Sequence, residues 1–326
     1  MKLLLVGDVM LGRLVNEVLR ESGPDYPWSN TKPRFGEADW RACNLECVFS
    51  DRGTPWDAET KAFHFRSEQK NLAVLQSIGI NAVSMANNHS FDFGYEALTD
   101  TLAGLDALGI RHAGAGANFA AASRLAISEV GGRTIGLVAF TDNEPAWEAT
   151  ADRPGVFHSP IDLTDNRARY LLRAVEKASR SVDVLIVSAH WGPNWGYRPP
   201  IEHPRFAHAL IDHGATIVYG HSGHVCRGIE IYKSRPILYC TGNFIDDYAV
   251  DDSERNDRSF IFTIEVEDHT VKQLRLCPTV IRSCRARLAG RVEAALIAAI
   301  MKELCNALQT SASWNDAAGV LEIAVN

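Results

Sequence analysis

Ile217-Val218-Tyr219-Gly220-His221-Ser222-Gly223-His224-Val225-Cys226 is a short apolar run that ends on two histidines. A run of this length, bounded by glycine, reads as a buried strand. The pattern recurs upstream. The run over 182–188 stops at His190-Trp191-Gly192, and the run over 80–86 stops at Asn87-Asn88-His89. The chain itself opens on a run over 2–6 that meets Gly7-Asp8. Four strands therefore each hand over to a metal-ligating or acid–base side chain. In α/β proteins, ligands bind in the crevice outside the carboxyl ends of the strands. The four endings predict an α/β fold with one site where they converge.

Working outward, helical spacing predicts helices over 11–21, 68–78, 95–108, 162–179 and 203–213, with Asp162 as an N-cap. Shorter strands are expected at 40–45, which ends at Glu46, at 111–113, and at an edge over 63–65. Gly131-Gly132 between apolar runs predicts a hairpin over 125–140. Segments 24–35 and 51–61 carry turn residues and little periodicity, and read as loops. Beyond Cys226 the runs at 228–232, 236–240, 259–266 and 271–278 look like an antiparallel meander, followed by a helix over 289–308 and a last strand at 320–325. Both halves are expected in one layered domain spanning 1–280, with 281–326 as a helix and strand packed on it.

With 326 residues, 46% of them hydrophobic, the chain has ample material for a core. A net charge of -7 disfavours a phosphate-backbone binder, so no nucleic-acid partner is expected. Seven cysteines without a C-x-x-C pair fit a reduced setting. No apolar stretch approaches membrane-spanning length and no leader pattern precedes the first strand, so the expected place is the cytoplasm.

Each candidate residue also has a plainer role. Asp8 is equally a good helix N-cap, and Asn87-Asn88-His89 is good turn chemistry. A lone buried histidine is more often structural. The argument rests on the convergence of Asp8, Glu46, Asn88, His190, His221 and His224 as metal or acid–base groups. His89 is a candidate to polarise a substrate oxygen, with Asp92 orienting its ring. Arg13, Trp191, Asn194 and Asn243 are candidate substrate contacts; Arg13 suits an anionic group bound bidentately. Trp195 is a further candidate for the cleft wall.

Several segments run in a fixed order from residue 7 to about 245: Gly7-Asp8-Val9-Met10-Leu11-Gly12-Arg13, Asn44-Leu45-Glu46, Ala86-Asn87-Asn88-His89 with Asp92-Phe93-Gly94, His190-Trp191-Gly192, Gly214 through Val225, and Leu238 through Phe244. Together they resemble the capsule-synthesis CapA (poly-γ-glutamate synthesis) family, itself similar to calcineurin-type metallophosphoesterases. The resemblance implies a four-layer αββα sandwich of two mixed β-sheets. It implies a divalent metal (Mn, Fe or Zn) at Asp8, Glu46, Asn88, His190, His221 and His224, with His89 as general acid. Three departures thin that ligand set. Val9-Met10 replaces the phosphoesterase x-His, Ser222-Gly223 replaces His-Pro, and Asn194 stands where the family often has Glu. Two ions, one or none therefore stay open.

Three functions are compatible with these residues. A metal-dependent hydrolase would act on a phosphorylated or peptide-like small substrate, a phosphoester or a γ-glutamyl amide. A metal-independent peptide epimerase would use Asp8 or Glu46 as one catalytic base facing His221 or His224. A non-catalytic accessory protein of polyglutamate or capsule synthesis would need neither.

Overall fold

The structure is a computed structural model and describes residues 1–57 and 61–325. Its organising strand is Lys2–Val9. Side chains alternate across a strand, so Leu3 and Leu5 enter one core while Leu4 and Val6 enter another. Apolar residues on both faces make this a central strand, which explains an unbroken apolar run where an exposed strand would alternate. Trp40–Leu45, Ala82–Ser84 and Arg111–Ala113 follow it in parallel on one side. On the other side Arg258–Glu267, Thr270–Ile281 and Val320–Ala324 continue the same sheet antiparallel. Asn243–Ile245 adds a short parallel pairing at the end that carries Asp8.

A second, six-stranded sheet runs in the order Ile229–Tyr232, Arg235–Leu238, Ile217–His221, Val184–His190, Arg133–Thr141, Ala126–Val130. The same alternation divides its residues. Val184, Ile186, Ile217 and Tyr219 join the core that holds Leu3 and Leu5, whereas Leu185, Val187 and Val218 join a third core. One core therefore lies between the sheets. The helix Arg13–Glu21 covers the outer face of the first sheet through Val15 and Leu19. The helices Asn166–Ser179 and His203–Asp212 cover that of the second through Leu171, Val175, Phe206 and Leu210. Each such side chain, fully buried, is worth about 1.5–3 kcal/mol. The C-terminal helix Arg291–Asn306 sends Ile297, Met301 and Cys305 into the inter-sheet core.

Several local expectations change. The cap of the Asn166–Ser179 helix is Asp165, whose carboxylate accepts from Arg167 N; Asp162 instead closes a turn by accepting from Thr164 N. Segment 24–35 is not irregular: Tyr26–Thr31 is a 3₁₀ helix and Lys32–Gly36 a short α-helix, because Trp28 and Phe35 pack into the outer core. The helix expected over 68–78 is a 3₁₀ turn, Gln69–Leu72, and a single α-turn, Ala73–Gln76. The edge strand expected at 63–65 forms at Arg66–Ser67, paired with Val48–Phe49. Of the loop expected over 51–61, residues 58–60 lie outside the described residues. Among the described residues no helix is long and apolar enough to cross a membrane.

Gly7 is required by close approach. A Cβ there would stand 1.9 Å from Gly242 O and 2.7 Å from Thr241 O, both backbone atoms. Gly7→Ala must push the first strand away from 241–242, next to Asp8. We expect a loss of roughly 2–3 kcal/mol or more, at the upper end of overpacking costs, read as a lowered urea midpoint. A midpoint equal to that of the parent protein would contradict the close packing.

Candidate metal centre

Strand register sets the site. Asp8 lies between Asn44 and Asn243 on neighbouring strands of the first sheet. His190 lies between Thr141 and His221 on the second. The two sheets present these ends to each other, and Asp8, Glu46 and His190 place ligand atoms within 4.8 Å of one another. All three residues are 1% exposed.

The hydrogen bonds leave a distinctive remainder. Asp8 Oδ1 accepts from Asn44 Nδ2 at 2.8 Å and lies 3.1 Å from His221 Nδ1. Asn44 is itself held by Asn87, whose amide donates to Asn44 Oδ1 and to the Leu45 carbonyl. His221 Nδ1 also meets Thr241 Oγ1 at 3.2 Å. Among the described residues, the buried atoms without a hydrogen-bond partner include Asp8 Oδ2, Glu46 Oε2, Asn88 Oδ1 and His221 Nε2, together with Asp92 Oδ1, Asp246 Oδ2 and Asn243 Nδ2. Buried polar atoms are nearly always satisfied, so such a group of atoms is a candidate position for an ion, ligand or water.

Electrostatics agree. Burial pushes the Glu46 carboxyl well above its usual range, and Asp8, Asp246 and Asp92 push it further. Burial also raises Asp246, to about 7. Asp8 goes the other way: burial would raise it, but the His221 hydrogen bond and the charges of His221 and His190 bring it below the usual value. Carboxyl groups crowded in low dielectric either take a proton or are balanced by a cation. Carboxylate, imidazole and amide oxygen donors suit Mn, Fe or Zn. Asp8, Glu46 and His190 thus form a group whose donors fit a divalent ion.

Not every expected ligand joins the three. His221 reaches Asp8 through Nδ1 and stands beside the group. His224, in a left-handed backbone conformation with φ +55, holds Asn243 Oδ1 at 3.0 Å. Asn243 is fully buried, a partner of His224 and not an exposed contact. Asn88 is half-buried, and its carbonyl accepts from Lys61. His89 Nδ1 lies 2.6 Å from Asp92 Oδ2, and the ring stacks on Phe65 at 3.9 Å. Burial, outweighing Asp92, keeps the His89 pKa below its usual value.

Trp191 does not face the cleft. It is fully buried, donates Nε1–H to the Tyr239 carbonyl at 2.9 Å and stacks on His203 at 4.3 Å. Asn194 is exposed on the loop 193–196, and Trp195 on that loop lies 5.6 Å from the His224 ring. Arg227, 1% exposed, ties the loop down by donating to the carbonyls of Pro193, Trp195 and Gly196 at 3.0–3.1 Å.

His203 yields a stability prediction. Burial, then the charge of Arg227, pushes its pKa from 6.5 down to about 3. The unfolded ring takes a proton near pH 6.5 and the folded ring does not. The contribution is therefore complete above about pH 6.5 and is lost as the pH falls toward 3, at about 1.4 kcal/mol per unit. Thermal melts of chelated protein between pH 7 and 4.5 should show this slope, and His203→Gln should make it shallower. An unchanged slope in that variant would contradict the assignment.

Asp246 and Lys61 are not among the residues the sequence points to, and Asn44 enters there only within the segment Asn44-Leu45-Glu46. Asn44 stands two residues before Glu46 at the same strand end. Asp246 directly follows the strand Asn243–Ile245. Strand-end position was the available signal for both. Lys61 Nζ, 2.9 Å from Asp92 Oδ1 and 3.6 Å from Glu144 Oε1, comes from a stretch with no pattern.

Comparison with known proteins adds context to this geometry. Residues 2–248 match the family described as "Bacterial capsule synthesis protein PGA_cap". A "Probable polyglutamine synthesis accessory protein" of Mycobacterium tuberculosis is 36% identical over 287 residues, covering 75% of this chain and 74% of that protein. The "Capsule biosynthesis protein CapA" of Bacillus anthracis is 28% identical over 246 residues, covering 74% of this chain and 59% of that protein. The "PGA biosynthesis protein CapA" of Bacillus subtilis is 29% identical over 244 residues, covering 74% and 62%. A hypothetical protein from Thermus thermophilus, of known crystal structure, shares the fold with a TM-score of 0.51 at 17% identity, covering 85% of this chain and 98% of that one.

Proposed function

This chain belongs to the PGA_cap family of bacterial capsule synthesis proteins, and from that premise we propose that its Asp8–Glu46–His190 centre holds a divalent ion and serves a hydrolase acting on a phosphoester or a peptide or γ-glutamyl amide. The observation that carries this reading is the cluster of buried, unpaired acceptors at the meeting of two sheets. The stacking of helices, two sheets and helices is read as the αββα sandwich of the metallophosphoesterase type. The names of the relatives suggest that the reaction serves the making of a glutamate polymer or capsule.

Asp8, Glu46 and His190 would hold the ion, with Asn88 Oδ1 and His221 Nε2 as nearby further donors. When bound, a divalent ion polarises the scissile group and makes water a nucleophile at neutral pH. The chain's own residues do the rest. Asn44 and His221 fix Asp8 Oδ1, so Oδ2 is presented without rotational freedom. His221 directs Nδ1 at Asp8 and so leaves its Nε2 lone pair as the donor for the ion. His89, held at Nδ1 by Asp92, moves a proton to or from the substrate at Nε2. Phe65 stacks on the His89 ring and fixes its plane.

A second reading has one observation of its own. The Asp8–His221 contact at 3.1 Å is a carboxylate–imidazole pair capable of proton transfer without a metal. Such a pair, with His224 or Glu46 on the opposite face of a peptide α-carbon, would remove a proton and return one, inverting the centre. An accessory role without turnover is also compatible with the relatives' names.

One experiment separates these. Protein loaded with Mn²⁺ or Zn²⁺ is assayed on bis-p-nitrophenyl phosphate and γ-glutamyl-p-nitroanilide, with and without chelator. Hydrolysis abolished by the chelator supports the proposal. Solvent deuterium entering peptide α-carbons despite the chelator would replace it with the epimerase. Neither activity would leave the accessory role.

A further inference from the structure

We propose that Arg13 and Arg66 form an oxyanion subsite, one aromatic ring away from His89, that grips a carboxylate or phosphate group of the ligand remote from the metal centre. The subsite needs no metal and holds under either catalytic reading. Both arginines line a cavity of 510 Å³ at the surface.

Backbone packing brings the two together. A Cβ on Gly12 would lie 3.0 Å from Arg66 N and 3.1 Å from Arg66 O, so the turn into the first helix rests directly on the Arg66 backbone. Arg13 itself adopts φ +50. A long side chain in the left-handed region costs free energy, and such strain persists where the surrounding structure enforces it, often at functional sites. Here it aims the guanidinium over the rings of Phe63 and Phe65, at 5.4 and 5.7 Å.

Each guanidinium is anchored at one edge. Arg13 Nε lies 3.3 Å from Asp247 Oδ2. Arg66 Nη1 donates to the carbonyls of Arg52 and Gly53, both at 3.3 Å, and its plane sits 4.2 Å over Phe93. Among the described residues Arg66 makes no ion pair with a carboxylate, and its Nε and Nη2 have no protein acceptor. A planar fork fixed at one edge and free at the other is preorganised for bidentate binding of an oxyanion.

Acidic residues also line the cavity. Glu17 and Glu68 are both engaged by Arg20, at 2.6 and 2.5 Å. Asp51 is exposed and would favour a ligand that carries a positive group as well.

The buried ring of Phe65 lies between Arg13 and His89. Its amide donates to Asp92 Oδ2 at 2.6 Å and its ring stacks on His89 at 3.9 Å.

The test is isothermal titration calorimetry on metal-stripped protein, with inorganic phosphate and with triglutamate peptide. The expected result is saturable binding of at least one probe, weakened roughly tenfold to a hundredfold in Arg66→Gln. Arg66→Lys keeps the stem on Phe93 and the charge but loses the fork, so it should fall between. Phosphate alone binding identifies a phosphorylated ligand, and triglutamate alone an acidic peptide. No saturable binding of either probe, or equal affinity in the parent and both variants, would overturn the subsite. Because the protein is metal-free, that failure leaves the hydrolase proposal standing, and loss of hydrolysis leaves the subsite standing.

Discussion

On the proposed hydrolase reading, Asp8→Asn is expected to lose divalent-ion binding and turnover together. The substitution keeps the side chain's shape and an oxygen for Asn44, but it removes the carboxylate charge that Asp8 places beside Glu46 and His190. Removing an outer partner of a metal ligand typically costs 10–100-fold in affinity; removing a charged ligand from a three-residue group should exceed roughly a hundredfold. The fold should survive, since Asp8 N still bonds Gly242 O and the strand's apolar residues are unchanged. The check is metal affinity by competition with a fluorescent chelator, alongside circular dichroism. A variant that binds metal as tightly as the parent would show that the ion sits elsewhere.

His89→Gln should separate chemistry from metal binding. His89 lies outside the Asp8–Glu46–His190 group, so metal content should not change. Turnover should fall about 10²–10⁴-fold, the usual contribution of a positioned acid or base. Asp92→Asn should cost less. It keeps an oxygen for the Phe65 amide and the His89 ring but removes the carboxylate that stabilises the charged ring. Equal loss of metal and turnover in His89→Gln would move His89 into the metal centre and remove its proton-transfer role.

The strand ends were legible because strands buried on both faces are written as unbroken apolar runs closed by glycine or a polar residue. His190 and His221 do stand in register on adjacent strands. The ligand grouping was less legible. An apolar run locates a strand end but not its height, and His224 lies past the end of its strand, in a turn that directs it to Asn243. Trp191 shows the limit of adjacency. It follows a site residue, yet period-two alternation sends it into the outer core while His190 faces the other sheet. Arg227 had no sequence signal at all, because arginine is rarely buried and nothing in its neighbours foretells three carbonyl acceptors. The cap at Asp165 instead of Asp162 turns on local geometry: both are aspartates before the same helix, and only one lies next to its first turn.

The most direct test of the account is anomalous diffraction at the metal edge from crystals grown with Mn²⁺ or Zn²⁺. The account predicts one peak at coordination distance, about 2.0–2.2 Å, from oxygens of Asp8 and Glu46 and a nitrogen of His190. Well-ordered crystals with no peak among these three residues, at metal concentrations that saturate the protein in solution, would contradict it.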